Sequence, residues 1–133
     1  MPSQDLAGLV REANDAWNRG DLDAMFALFH RDFEWHTTPS FPGLDAVYRG
    51  PEGWRKFDHD FRETWESIEV LIEEVRQVDD KVVALANFQA RGRDGIDLSA
   101  PIAWVTRFRD GLAIRSDVYD GWNRALEAVG SSA

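Results

Sequence analysis

Lys81-Val82-Val83-Ala84-Leu85-Ala86-Asn87-Phe88-Gln89-Ala90-Arg91, Gly92-Arg93-Asp94-Gly95, Ile96 to Phe108, Arg109-Asp110-Gly111 and Leu112-Ala113-Ile114-Arg115-Ser116-Asp117-Val118-Tyr119 form the stretch that decides the fold. It predicts three consecutive strands joined by two tight turns. The first run is β-branched at its start and stops at two glycines, which permit the positive φ that a hairpin turn requires. Asp110-Gly111 between apolar runs is among the strongest local hairpin signals. The expected pairing is an antiparallel meander.

In the second of these strands Ile96, Leu98, Ala100, Ile102, Trp104, Thr106 and Phe108 share one face, and Asp97, Ser99, Pro101, Ala103, Val105 and Arg107 share the other. The first strand is apolar on both sides at its start. A sheet buried on both faces needs a layer on each. Helices are expected on one side and, in so short a chain, a second subunit on the other.

Upstream, Leu6, Leu9, Val10, Ala13 and Trp17 have the spacing of an amphipathic helix that starts near Ser3 or Gln4, capped by Ser3, and stops at Gly20. Asp21 is expected to cap a second helix carrying Leu22, Met25, Leu28 and Phe29. Phe33-Glu34-Trp35-His36-Thr37 alternates as a short strand before a loop holding Pro39 and Pro42. Gly50-Pro51-Glu52 has the chemistry of a helix start. The third helix that follows places Trp54, Phe57, Phe61 and Trp65 on one aromatic face. Residues 68–78 are rich in β-branched side chains, and Asp79-Asp80 turns them into the Lys81 strand. A last amphipathic piece runs from Asp120 to Val129.

The length of 133 residues suits a single domain with a real core, residues 1–133. Six Trp and eight Phe exceed what a minimal core requires, and large rings commonly line ligand cavities. The net charge of −9 and the absence of any basic stripe argue against nucleic acid as a partner. No cysteine is present, so disulfides, thiolate metal sites and a Cys nucleophile are excluded. Without a basic-then-apolar leader or a run of about 18 apolar residues, the chain reads as soluble and cytoplasmic, with no membrane partner. His59 and Glu63 sit four apart on the third helix but lack a third ligand, so no metal is expected. Gly50 and Gly53 do not follow a strand at dinucleotide spacing, no Ser-centred nucleophile elbow exists, and no cofactor is expected.

Trp17-Asn18-Arg19-Gly20-Asp21-Leu22-Asp23, Phe33-Glu34-Trp35-His36, Tyr48-Arg49-Gly50-Pro51-Glu52-Gly53, Phe108-Arg109-Asp110-Gly111 and Tyr119-Asp120, in this order of elements, resemble the SnoaL-like polyketide cyclase group of the nuclear-transport-factor-2-like superfamily. The resemblance spans nearly the whole chain. It implies an α+β cone of curved antiparallel or mixed sheet covered by three N-terminal helices, and a homodimer through the convex sheet face. Members of the group include aldol-type cyclases, ketosteroid isomerases, epoxide hydrolases, dehydratases and proteins of no known reaction. Where the group carries a carboxylate after the first strand, this chain has Trp35-His36-Thr37-Thr38-Pro39, with Thr37 in place of the acid.

Two functions of different class follow. The first is a cofactor-independent isomerase, cyclase or hydratase acting on a small apolar ring compound. Its base is His36, an imidazole suited to proton abstraction beside a carbonyl, or Asp117, expected on the concave face, with Asp117 or Asp120 matching the acid of the group's late strand. Trp17, Tyr48, Trp54, Phe57, Trp104 and Tyr119 are the expected ligand-binding residues. The second is a non-catalytic ligand-binding or assembly module of the same fold, which the loss of the acid at Thr37 favours.

Overall fold

A computed structural model describes residues 5–38 and 44–130. Its elements are α1 (Leu6–Asn18), α2 (Leu22–Phe26), β1 (Phe29–His36), β2 (Val47–Arg49), α3 (Gly50–Thr64), β3 (Trp65–Val78), β4 (Lys81–Gly92), β5 (Asp97–Arg109), β6 (Leu112–Tyr119) and α4 (Trp122–Ala128). The expected cap Ser3, the loop prolines Pro39 and Pro42, and residues 131–133 lie outside the described residues.

The meander forms as read. Asp110 and Gly111 both have positive φ, 54° and 76°, the backbone of the two-residue turn whose twist matches that of its strands, and Arg109 pairs directly with Leu112. The sheet is curved, unclosed and mixed, in the order β2-β1-β6-β5-β4-β3. β1 runs parallel to β6, and all other neighbours are antiparallel. The upstream strand therefore extends the sheet.

Helix α1 starts at Leu6, because the Asp5 carboxylate accepts a 2.8 Å bond from Gly8 N and caps the first turn. It ends in a Schellman motif, with Gly20 at φ 78°, Gly20 N bonded to Trp17 O and Asp21 N bonded to Ala16 O. Asp21 caps α2 through Ala24 N. The second helix is shorter than its periodicity predicts. Phe29 leaves it to begin β1, where it pairs with Ala113 and stacks on Phe33 at 4.2 Å. Trp65 likewise leaves the aromatic helix face, because it is extended and pairs with Gly92 of β4.

Helices α1 and α3 cover the concave face, and their aromatic stripes meet the sheet in one core that includes Trp17, Phe33, Trp54, Phe57, Phe61 and Phe88. The other face has its own cover. Val83, Leu85, Ala103 and Val105 are buried beneath Ala125 and Leu126 of α4. The layer expected from a second subunit is thus supplied at this patch by the chain's own C-terminal helix. Trp122 fastens that helix through a 2.9 Å bond from Nε1 to Ala86 O, beside the register shift between Ile72 and Glu74.

Strand β3 is a sheet edge, where unpaired backbone groups invite association with other chains. Asn18 closes part of it. Its side-chain amide accepts from Val70 N at 3.1 Å and donates to Val70 O at 2.8 Å, as a neighbouring strand would, and Asn14 adds a second bond to Val70 O.

Candidate functional site

Between α1, α3 and the concave face lies a cavity of about 80 Å³. Its walls are set by periodicity. Spacing of three and four along α3 puts Trp54, Phe57 and Phe61 on one side, α1 contributes Val10, Ala13 and Trp17, and alternation along β5 contributes Ile102, Trp104 and Thr106. Trp35 of β1 joins this wall, its ring centroid 4.6 Å from that of Trp54 and 6.5 Å from that of Trp104.

Of the expected ligand-binding residues, Trp17, Trp54, Phe57 and Trp104 stand on this wall. Trp17 uses its indole nitrogen elsewhere, in a 2.9 Å bond to Asp58, and Arg62 lies over its ring. Tyr48 is not on the wall. It packs its ring on Phe57 and donates its hydroxyl to Asp60 Oδ2 at 2.9 Å, while accepting from Asp45 N at 2.8 Å. Burial, chiefly, pushes its phenol above the ordinary range. Tyr119 lies on the opposite face, against the cluster that α4 covers.

His36 and Asp117 also lie on that opposite face. Alternation decides this, because Trp35 points into the cavity and the side chains of Glu34 and His36 go the other way. His36 Nε2 is 2.9 Å from Glu34 Oε1. The His36 hydrogen bond is the main reason that the Glu34 carboxyl sits below its ordinary value. Asp117 pairs in register with His36 across the parallel ladder and is gripped by Arg115, at 2.9 Å from Nη2 and 3.1 Å from Nε. The structure thus brings His36 and Asp117 together, but away from the aromatic cavity.

Sequence reading missed the cavity's polar residues. Thr106 and Ser116, opposite each other on β5 and β6, are buried and share a 2.8 Å hydrogen bond. Thr37 reaches the wall too, with its hydroxyl donating to Asp45 O. Trp35 Nε1 and Trp54 Nε1 are buried without a hydrogen-bond partner among the described residues. The available signal was the register: once β1 is placed beside β6, Trp35 falls opposite Ser116. Among the described residues on the wall, none has an ionisable side chain. Residues 1–4, 39–43 and 131–133 carry none in the sequence.

The loop before β2 is tied to α3 by charge. Lys56 Nζ lies 2.8 Å from Asp60 and 3.0 Å from Asp45, and Asp60 is held below its ordinary range first by the Lys56 hydrogen bond and then by that of Tyr48. A carboxyl with a lowered folded-state pKa contributes stability that is complete above its unfolded value and lost as pH falls through the folded one. Acid unfolding of Asp60→Asn should accordingly be less steep below pH 3.8 than that of the parent chain. Parallel stability curves for the two would remove the linkage.

A family model for the SnoaL-like domain matches residues 10–116. The chain belongs to that family. Similar solved structures of SnoaL-like and related proteins include TerC, co-crystallised with polyporic acid, at 17% identity and a TM-score of 0.81 over 95% of this chain and 98% of that one. An NTF2-like protein of unknown function from Burkholderia pseudomallei matches at 18% identity and a TM-score of 0.81, over 97% of this chain and 100% of that one. IdmH, a candidate polyketide cyclase from Streptomyces antibioticus, matches at 17% identity and a TM-score of 0.75, over 94% and 97%. At these identities the likeness establishes the fold of the SnoaL-like chain. No curated protein matches it by sequence. None of its described helices is long and apolar enough to cross a membrane.

Proposed function

We propose that this SnoaL-like domain binds a small apolar molecule in the aromatic cavity and that no side chain of the cavity serves as an acid or base. The observation that carries this reading is the wall itself, which is lined by Trp, Phe and aliphatic side chains and has no carboxylate, imidazole, phenol or amine among its described residues. General acid–base catalysis needs a titratable group within hydrogen-bond reach of the reacting atom. His36 and Asp117 are engaged with Glu34 and Arg115 on the far side of the sheet. The co-crystallised polyporic acid of TerC lends support for a small-molecule ligand.

Size narrows the class. An engineered apolar cavity of about 150 Å³ takes benzene, so a cavity of about 80 Å³ suits no more than one small ring. The test is a titration with a small apolar ring compound, followed by tryptophan fluorescence, since Trp35, Trp54 and Trp104 stand on the wall. Saturable binding is expected, with His36→Ala and Asp117→Ala unchanged in affinity to within about twofold. Loss of binding in either variant would move the site to the outer face and restore the acid–base reading.

A further inference from the structure

Resting on the reading that the cavity binds a small apolar molecule, we propose that Leu44 sets the upper size of that molecule and that Tyr48, from outside the wall, is its positioning residue. Leu44 stands where the wall meets solvent. It, Thr37 and Val118 are half-exposed wall residues, and Thr37 and Val118 directly follow His36 and Asp117, the last pair of the β1–β6 ladder. Trp54, Phe57, Trp104 and Thr106, by contrast, are buried. A ligand too long for the cavity meets Leu44 at this rim.

Polar bonds, not secondary structure, hold Leu44 in place. Residues 44 and 45 belong to no helix or strand, Asp45 and Ala46 are exposed, and of the three only Leu44 packs on the core. The peptide N–H that joins Leu44 to Asp45 donates to the Tyr48 hydroxyl at 2.8 Å. Because the peptide unit is planar, fixing that N–H fixes the plane that carries the Leu44 Cα. Just beyond it, Asp45 O accepts from the Thr37 hydroxyl, and Ala46 O accepts from Thr37 N at 3.0 Å. The Asp45 carboxylate reaches Lys56 at 3.0 Å.

Tyr48 can position its neighbour because it is held itself. It is 3% exposed, and its ring lies 5.3 Å from that of Phe57. A hydroxyl has one hydrogen to donate. With that hydrogen given to Asp60 Oδ2 at 2.9 Å, the oxygen is left to accept from Asp45 N. Lys56 lies over the Tyr48 ring and also reaches Asp60 at 2.8 Å. A continuous line of bonds therefore runs from α3 through Tyr48 to the peptide after Leu44. Removing the hydroxyl breaks that line at both ends, after which Leu44 yields more readily to a larger ligand.

The experiment titrates the whole chain with benzene and with naphthalene, using ligand-observed NMR. The quantity read is the ratio of naphthalene to benzene affinity in the parent chain, in Leu44→Ala, in Tyr48→Phe and in the double variant. Tyr48→Phe keeps the ring on Phe57 and removes the hydroxyl alone. The parent chain is expected to prefer benzene. The ratio should rise about tenfold in Leu44→Ala, where the second ring gains room to be buried, and about three- to fivefold in Tyr48→Phe. In the double variant it should equal that of Leu44→Ala, because no leucine side chain is left to position. Additive rises would make the two effects independent and overturn the positioning role. A hydroxyl that is merely structural would lower the unfolding temperature of Tyr48→Phe without moving the ratio, and that outcome overturns the role as well. If Leu44→Ala does not fold, Leu44→Val is read in the same way. A parent chain that prefers naphthalene, or a ratio unmoved by truncating Leu44, overturns the size limit and leaves the binding function standing. Failure of both probes to bind every chain removes the size limit and the proposed function together.

Discussion

Truncating Trp54 to alanine is expected to lower the stability of the domain by about 3–5 kcal/mol, the cost of removing a large buried ring. Trp54 is only 5% exposed, and its ring meets those of Phe29, Phe33, Trp35 and Phe57 within 6.1 Å. Those contacts join α3 to β1, so the cavity left behind cannot collapse without moving one of them. For a domain of this size the midpoint of thermal unfolding should fall by about 10–20 °C. Trp54→Phe, which keeps a ring in the cluster, should lose far less. The same residue also stands on the cavity wall, so both roles belong to one side chain. Calorimetry and probe titration on Trp54→Ala separate them. A large stability loss with probe affinity intact would place the ring in the core alone and remove it from the binding wall.

Replacing Asn18 by alanine is expected to cost about 2 kcal/mol, although the residue is polar and sits in the last turn of a helix. The amide serves Val70 N and Val70 O together, and after truncation Asn14 still reaches the carbonyl while the N–H is left without its partner. A part-buried donor stranded in this way carries a desolvation cost that alanine's better helix propensity only partly offsets. Hydrogen exchange gives a second readout: the Val70 amide should lose protection before its neighbours in β4. Equal stability of Asn18→Ala and the parent chain would show that solvent serves the edge strand as well as the amide does.

These two residues mark where sequence reading succeeds and where it stops. The aromatic face of α3 was legible because a period of 3.6 forces Trp54, Phe57 and Phe61 to one side, and apolar rings on one side must be covered. The role of Asn18 was not legible. A polar residue at the end of a helix is ordinarily a solvated one, and nothing local says that an edge strand, 52 residues on, will lie against it.

The candidate catalytic pair shows the same division. Period-two alternation separates Trp35 from His36 and Ser116 from Asp117 in the sequence alone, so the two sets of side chains were known at these positions, though not across the register shifts that bring Ala113 to the face of Ser116. Which set is concave was not. A strand read alone carries no sign of curvature, and β1 has an aromatic set beside a charged one while β6 is mixed on both faces.

The sequence by itself determined the existence of the helices, the stop of α1 at Gly20, the hairpins at Asp110-Gly111 and Gly92 to Gly95, the membership of strand faces away from the register shifts, and the absence of a thiol. These follow from local sterics, capping and periodicity, which act within a few residues. Only the tertiary structure decided that β1 lies parallel to β6, which put Trp35 beside Ser116 and His36 beside Asp117. It also decided that α4 covers Val83, Leu85, Ala103 and Val105 while α1 and α3 cover the other face. The physical reason is that both faces of β4 are apolar, and burial is favourable wherever cover is found and indifferent to which face receives it. The assignment of cavity and outer face therefore rested on how the distant helices pack, and with it the chemistry that the cavity can offer.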